Sequence, residues 1–212
     1  MKKVFLLCTF CMLLTGIQAQ QPIALNSPSE VRGSSVMEAF RNRQFLRDYQ
    51  ETDLSLQDLS DLLWAAYGIN RDNGKRTAPT AQNSQDVDVY VCRADGTYLY
   101  DAANQQLVPV SGEDIRPLLE GRRPTGAPVC LLLVADMSRY GGYAPDSDNL
   151  KHYYEMGAVD CGIVSQNIGI FCAGVGLATG PRAGMDQEGI RKALDLPGTV
   201  HIWLNHPVGY PK

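Results

Sequence analysis

Three polar segments of this 212-residue sequence have the residue types that bind an anionic ligand carrying a ring. The first segment contains Arg43, Gln44, Phe45 and Arg47. If it is helical, the two arginines lie four positions apart on one face and can clamp a phosphate together. The same spacing suits a solvated helix face with intrahelical ion pairs equally well.

The second segment, residues 77–85, ends a long polar loop just before a predicted strand. Its Thr80, Asn83 and Gln85 carry hydroxyl and amide groups. Such groups match a heteroaromatic ring that both donates and accepts hydrogen bonds. The alternative is ordinary turn chemistry, because these residue types also favour turns.

The third segment, residues 176–184, is rich in glycine and includes Arg182, Ala183 and Gly184. Glycine allows backbone N–H groups to come close to a ligand. A helix end followed by a turn is the commoner meaning of such a sequence.

No motif supplies a reactive side chain. The sequence contains no GxSxG, no P-loop and no HExxH. Its three histidines are scattered, and His201 alternates with its neighbours on a predicted strand, which favours a structural role. The four cysteines beyond residue 19, Cys92, Cys130, Cys161 and Cys172, are widely spaced without a CxxC motif, so we predict no metal site. We therefore expect no catalytic side chain and a cofactor that supplies the reactive group.

Composition and charge indicate a folded domain that does not bind nucleic acid. Hydrophobic residues make up 44% and charged residues 20%, which is close to globular averages. The formal charge is −4 and the isoelectric point is about 5.3, so no basic surplus attracts a polyanion. A phosphate ligand would need a local basic site.

Residues 1–19 have the pattern of a secretory signal peptide. A basic start at Lys2 and Lys3 precedes an apolar stretch, and Ala19 offers a small residue before a cut. An uncleaved anchor is the alternative, but the stretch is short for a bilayer. We expect an exported protein, periplasmic or extracellular, with no membrane span after cleavage and with its remaining cysteines as buried structural thiols.

After an extended lead-in at residues 20–34, hydrophobic patterning predicts one α+β domain at 35–212. Capping-box sequences at Ser35 and Ser55 open helices that end near Tyr49 and at Gly68. Further helices are expected at 112–120, 149–177 and 186–194, and strands at 87–93, 97–101, 107–110, 129–135 and 199–204, before a tail at 207–211. This order favours a mostly antiparallel sheet flanked by helices.

The long helix expected at 149–177 carries no charge from Cys161 to Ala178. Its length is compatible with a membrane span. However, Ser165, Gln166 and Asn167 lie in its middle, and several glycines dilute it. We favour a helix buried in the core or in a dimer interface, where small residues allow close approach.

Six motifs in this order resemble the nitroreductase family of flavoproteins, and within it the SagB-type dehydrogenases. They are RQFLRDY at 43–49, LQDLSDLLWAAYGIN at 56–70, RTAPTAQNSQ at 76–85, SQN at 165–167, GLATGPRAGMD at 176–186 and PVGYP at 207–211. The resemblance spans about residues 35–211.

The resemblance implies a homodimer with one FMN at each subunit interface. NAD(P)H would reduce the flavin, and a nitroaromatic, quinone or similar small-molecule acceptor would reoxidise it. The implied cofactor-binding residues are Arg43, Gln44, Phe45 and Arg47 at the FMN phosphate and ring edge, Thr80, Asn83 and Gln85 beside the isoalloxazine ring, and Arg182, Ala183 and Gly184 in the loop that faces the flavin N5.

The sequence departs from the family pattern at the expected phosphate end. Relatives usually have serine where Phe45 stands and a basic residue where Gln44 stands, and many continue beyond the position of Lys212. Two interpretations stay open. One is an exported FMN oxidoreductase; the other is a catalytically degenerate member of the fold that binds a flavin-like or other small ligand without turnover.

Overall fold

The computed structural model describes residues 20–121, 123–146 and 149–212. Their strands are β1 (Ile23–Ala24), β2 (Val87–Arg93), β3 (Gly96–Asp101), β4 (Gln106–Ser111), β5 (Val129–Asp136), β6 (Ala178–Thr179) and β7 (Val200–Gly209). They form one antiparallel sheet of seven strands in the order β1-β4-β3-β2-β5-β7-β6. The predicted signal peptide lies outside the described residues.

The helices of the described residues are α1 (Val36–Asn42), α2 (Leu56–Tyr67), α3 (Arg116–Glu120), α4 (Leu150–Val175) and α5 (Gln187–Ala193). Ser35 opens α1 with the predicted capping box, and Ser55 Oγ accepts from the Asp58 N–H at 3.0 Å to cap α2. Helices α2 and α4 cover one face of the sheet, and α3 and α5 cover the other. The predicted α+β architecture, mostly antiparallel and flanked by helices, is confirmed.

Alternating side chains of the central strands build a core on each face of the sheet. Val91 and Leu131 point towards α2 and α4, whereas Cys92 and Leu132 point towards α3 and α5. Strand β5 is apolar along most of its length because it contributes to both cores. Burial of each large aliphatic side chain contributes roughly 1.5–3 kcal/mol. Because β5 buries such side chains on both of its faces, it lies at the centre of the fold.

Helix α4 lies close to β5 because Gly157 has no side chain. A Cβ atom there would stand 2.6 Å from Met137 Cε and 2.9 Å from Ala135 Cβ. Among the described residues, none covers the opposite face of α4 at Val159, which is 53% exposed. By length and composition α4 is apolar enough to cross a membrane. In this fold it packs on the sheet and leaves one apolar face open.

Both ends of the described chain are tied to α2. The Ser29 N–H donates to Asp61 at 2.8 Å, and Arg32 forms ion pairs with Asp58 and Asp61. The Tyr210 hydroxyl donates to Asp58 at 2.5 Å. These contacts hold the lead-in and the C-terminal segment against the same helix.

Several element boundaries predicted from patterning are wrong. Helix α1 ends at Asn42, well before Tyr49, and Arg43 already has an extended ψ of 117°. The expected tail at 207–211 belongs mostly to β7, in which Pro207 pairs with Cys130. Helix α3 begins only at residue 116. Patterning does not predict the two-residue strands β1 and β6, which are too short to show alternation.

Cys92 and Cys130 are buried free thiols that face each other on β2 and β5. The Asp136 N–H donates to the Asp86 carbonyl, and hydrogen-bonded pairs alternate along an antiparallel ladder. Counting along the register makes Cys92 and Cys130 a hydrogen-bonded pair. Their Cβ atoms are then about 5.5 Å apart, beyond the usual span of a disulfide.

Candidate functional site

The segment after α1 is extended and lies against one end of the sheet. The Leu46 N–H donates to the Thr179 carbonyl in β6 at 3.1 Å, and Tyr49 forms a β-bridge with Pro211. The Tyr49 hydroxyl donates to the Leu46 carbonyl at 2.8 Å, and burial raises the pKa of this tyrosine. Non-local contacts therefore fix the path of residues 45–50.

Arg43 and Arg47 do not share a helix face, which corrects the clamp predicted from their spacing. Arg43 caps the end of α1. The Arg47 guanidinium lies over the Phe45 ring, 4.7 Å from the ring centroid. The same ring lies against Gly180, where a Cβ atom would stand only 2.5 Å from ring carbon Cε2.

Arg182 holds the loop that follows α3. Its backbone exchanges two hydrogen bonds of 2.8 Å with Asn205 in β7. Its Nη2 donates to the carbonyls of Glu120 and Arg123, the latter at 2.9 Å. Within the described residues, its Nη1 is buried and has no hydrogen-bond partner. Arg182 therefore has one buried charged donor that no described group satisfies.

These segments line a cavity of about 390 Å³, which we call the arginine cleft; its lining is residues 45, 47–49, 123–125 and 181–184. Arg47, Arg123 and Arg182 line it together with one acid, Asp48. No acidic side chain of the described residues forms an ion pair with these three arginines. The arginine cleft is therefore the local basic site that phosphate binding requires in an acidic protein.

The arginine cleft gathers half of the site residues predicted from sequence: Phe45, Arg47, Arg182, Ala183 and Gly184. An adjoining cavity of about 550 Å³ shares Arg123, Arg182 and Gly184 with it. Arg43 and Gln44 are exposed and lie outside its lining. Arg123 was missed, because a single arginine in a loop carries no signal of its partners.

Thr80, Asn83 and Gln85 lie in a turn before β2, which we call the 80–85 turn. The Gln85 N–H donates to Thr80 Oγ1 at 2.9 Å. The Gln85 amide accepts from Arg76 Nε at 3.0 Å and donates to the Gly74 carbonyl at 3.2 Å. Asn83 is exposed. The Gln85 side chain therefore holds the loop, whereas Asn83 is presented at the surface.

One protomer does not bring the 80–85 turn to the arginine cleft. Strand β2 starts where Val87 pairs with Ala135, near one end of β5. Thr179 pairs with Val208, which pairs with Val129 at the other end of β5. Six residues of a strand span about 20 Å. The two groups of predicted site residues therefore lie at opposite ends of β5.

Two buried acids that patterning did not single out anchor the 80–85 turn. Asp160 accepts from the Ala81 N–H and from the Tyr140 hydroxyl, both at 2.9 Å. The same hydroxyl lies 3.2 Å from Asp86, which accepts from Ser84 at 2.8 Å. Burial, reinforced by the charge of Asp160, raises the pKa of Asp86 to about 6.

His206 in β7 is fully buried and bonded at both ring nitrogens. Nε2 lies 2.8 Å from Ser165 Oγ and Nδ1 lies 3.2 Å from Thr179 Oγ1. Because Thr179 donates its proton to the Pro207 carbonyl, it accepts from Nδ1–H, and Nε2 accepts from Ser165. Burial lowers the pKa of His206 to about 3. This neutral imidazole joins α4, β6 and β7, which is a structural role.

The chain belongs to the nitroreductase family, because the model described as "Nitroreductase family" matches residues 40–210. This finding confirms the family seen in the motifs and makes the chain a member of a group of flavin-dependent oxidoreductases. The match does not distinguish the SagB-type branch from other branches.

Individual relatives agree with this family. A protein described as a nitroreductase from Methanocaldococcus jannaschii is 27% identical over 169 residues, which cover 73% of this chain and 81% of that protein. A crystal structure of a protein described as a nitroreductase, from Ralstonia eutropha JMP134, has a TM-score of 0.84 at 27% identity, covering 92% of this chain and 91% of that one. A chain of the E. coli microcin synthetase McbBCD complex shares the fold alone, with a TM-score of 0.65 at 18% identity over 99% of this chain and 85% of its own.

The arginine cleft fits FMN, the flavin that members of this family typically bind. The guanidinium groups of Arg47, Arg123 and Arg182 suit a phosphate, and the Nη1 of Arg182 has no partner among the described residues. Ala183 and Gly184 are small and exposed, which leaves room for the ring system. Over residues 20–121, 123–146 and 149–212, no group of three or more side chains is arranged to bind a metal ion.

Proposed function

We propose that this chain is an exported FMN-dependent oxidoreductase that passes electrons through the flavin to a nitroaromatic, quinone or similar small-molecule acceptor. The arginine cleft carries this proposal, since three arginines that form no ion pair with a described acidic side chain line one cavity of an acidic protein. Bound FMN would supply the electron transfer. The side chains would bind the phosphate, orient the ring and limit the access of water.

A homodimer completes the proposed site. A second copy can bring its 80–85 turn to the arginine cleft, which one protomer cannot do. The same association would cover the open face of α4. Only 33% of the most apolar 18-residue stretch of this helix is buried in one protomer. A large apolar surface of this kind favours association in water.

The electron donor follows from the proposed location. NAD(P)H is the donor that the family resemblance implies, but nicotinamide cofactors are scarce outside the cytoplasm. A protein donor therefore suits an exported enzyme better. The resemblance to SagB-type dehydrogenases suggests a further substrate class, the azoline rings of modified peptides, which the flavin would oxidise. Mass spectrometry of the N-terminus after secretion tests export, because cleavage is expected after Ala19.

A visible absorption spectrum of the purified protein, taken after incubation with FMN and desalting, tests the proposed function. We expect twin flavin bands at about one FMN per chain, bleached by a donor and restored by an acceptor. A colourless protein that stays folded would contradict the proposal.

Phe45 favours a second candidate function, because a ring replaces the serine hydroxyl usual in the family. In this case the chain binds a flavin-like or other small ligand without turnover. Bound FMN that dithionite reduces, but that no acceptor reoxidises faster than free FMN, would support the second candidate over the first.

A further inference from the structure

We propose that Phe45 is a positioning residue that holds the Arg47 guanidinium at the phosphate-binding end of the arginine cleft. This inference rests on the proposed function, because the anion that Arg47 would bind is the phosphate of FMN. The guanidinium carbon lies 4.7 Å from the ring centroid, within the range at which a ring face attracts a cation. Both side chains line the cleft.

The extended backbone brings these two side chains together. Residues two apart in an extended segment point to the same side, which a helix would not allow for Phe45 and Arg47. The Leu46 N–H between them donates to the Thr179 carbonyl at 3.1 Å. The pair is therefore mounted on a backbone that is fixed to β6.

Gly180 sets the orientation of the ring. A Cβ atom at Gly180 would stand 2.5, 2.6 and 2.7 Å from three consecutive carbons of the Phe45 ring. Such similar distances place the backbone over a ring face, which leaves the opposite face for the guanidinium. Phe45 is 41% exposed, so these two contacts, and not a deep pocket, hold the ring.

The positioning of Arg47 has an energetic reason. Arginine is long and flexible, and fixing it at a ligand costs side-chain entropy. A guanidinium that already rests on a ring loses less freedom when the phosphate binds. In this chain the ring would thus replace the serine hydroxyl usual at this position by orienting a charge.

The dissociation constants of FMN and of riboflavin, which lacks the phosphate, test this role. Phe45→Leu removes the ring face but keeps an apolar side chain, and Phe45→Tyr keeps both. We expect Phe45→Leu to weaken FMN binding about 2- to 5-fold and to leave riboflavin binding unchanged. Phe45→Tyr should bind both flavins as the parent does, and Gly180→Ala, which displaces the ring, should resemble Phe45→Leu.

A double-mutant cycle gives the second measurement. Arg47→Met should weaken FMN binding at least as much as Phe45→Leu, and combining the two should add no further loss, because Phe45 acts through Arg47. Additive losses would overturn the inference, as would equal weakening of both flavins by Phe45→Leu.

The remaining outcomes separate this inference from the proposed function. Unchanged FMN affinity in Phe45→Leu, with the parent binding FMN, would overturn the role of Phe45 and leave the proposed function intact. A parent protein that binds neither flavin would contradict the proposed function, and the role of Phe45 with it.

Discussion

Asp86 and Asp160 share the hydroxyl group of Tyr140, at 3.2 Å and 2.9 Å respectively. The hydroxyl has one proton and can donate it to only one of them. Asp160 is nearer and also accepts the Ala81 N–H, so the Tyr140 proton is assigned to the hydrogen bond with Asp160. Asp86 then gains by keeping a proton, which it can donate to the Tyr140 oxygen. This arrangement agrees with its raised pKa.

The pH dependence of stability follows from Asp86. Its pKa is about 6 in the folded protein and 3.8 ordinarily, so the folded state binds the proton more tightly. This contribution to stability is complete below pH 3.8 and is lost as pH rises through 6, by at most about 1.4 kcal/mol per pH unit. In urea unfolding, Asp86→Asn should reduce this loss, whereas the exposed control Asp53→Asn should not. An identical pH profile for Asp86→Asn and the parent would contradict the assignment.

His206 should have the opposite pH dependence. Its folded pKa is about 3, against 6.5 ordinarily, so the unfolded chain binds the proton more tightly. The stability contributed by neutral His206 is complete above pH 6.5 and falls as pH drops from there towards 3. His206→Leu should lose stability at neutral pH, because Ser165 and Thr179 lose a partner, and should also lose this acid-side slope. The exposed control His152→Gln should retain the slope; a slope unchanged in His206→Leu would assign it to another group.

Gly157→Ala tests the close approach of α4 to the sheet. The added methyl would lie 2.9 Å from Ala135 Cβ, and overpacking of this kind costs roughly 1–3 kcal/mol of unfolding free energy. Gly162→Ala is the control on the same helix, since within one protomer its Cβ meets nothing within 4 Å and alanine favours helix. Because Gly162 lies on the open face of α4, both changes are compared in the Val159→Glu variant. Equal effects of the two changes on thermal unfolding would argue against the tight contact.

Arg47→Ala and Arg43→Ala should differ in FMN retention. Arg47 lines the arginine cleft, whereas Arg43 caps α1 outside it. Loss of a charged hydrogen bond to the phosphate should weaken FMN binding about 10-fold or more, and Arg43→Ala should have a much smaller effect. Fluorescence titration with FMN measures both. Full FMN affinity in the Arg43→Ala/Arg47→Ala double mutant would remove these arginines from the phosphate site.

Val159→Glu tests the proposed dimer. Val159 is exposed on the open face of α4, and a buried unpaired carboxylate is costly. We expect the parent to sediment as a dimer at micromolar concentration and Val159→Glu to sediment as a monomer. Lys151→Ala, near the start of the same helix and 87% exposed, should stay dimeric. A monomeric parent would count against the dimer and against a site shared between two copies.

Local signals in the sequence account for the helices that were predicted well. Ser55 and Gly68 bound α2, and Gly176 ends α4 in a left-handed conformation with a φ of 79°. The end of α1 was missed, because its cause is distant: Leu46 bonds Thr179, and residues this far apart in sequence leave no local pattern.

The candidate site was predictable in composition but not in arrangement. Arg47 and Arg182, which residue types predicted for one site, line the same cavity. The distance between this cleft and the 80–85 turn depends on strand order, which hydrophobic periodicity does not specify. The contact of Asp86, Tyr140 and Asp160 joins three separate segments, so no spacing within the sequence could indicate it.

Gly180 also constrains how this protein can evolve. Because the Phe45 ring occupies the space of a Cβ atom at position 180, any side chain there requires the ring to leave first. Replacement of Phe45 by a small residue such as serine would open that space. Positions 45 and 180 should therefore covary among descendants of this sequence, although 134 residues separate them.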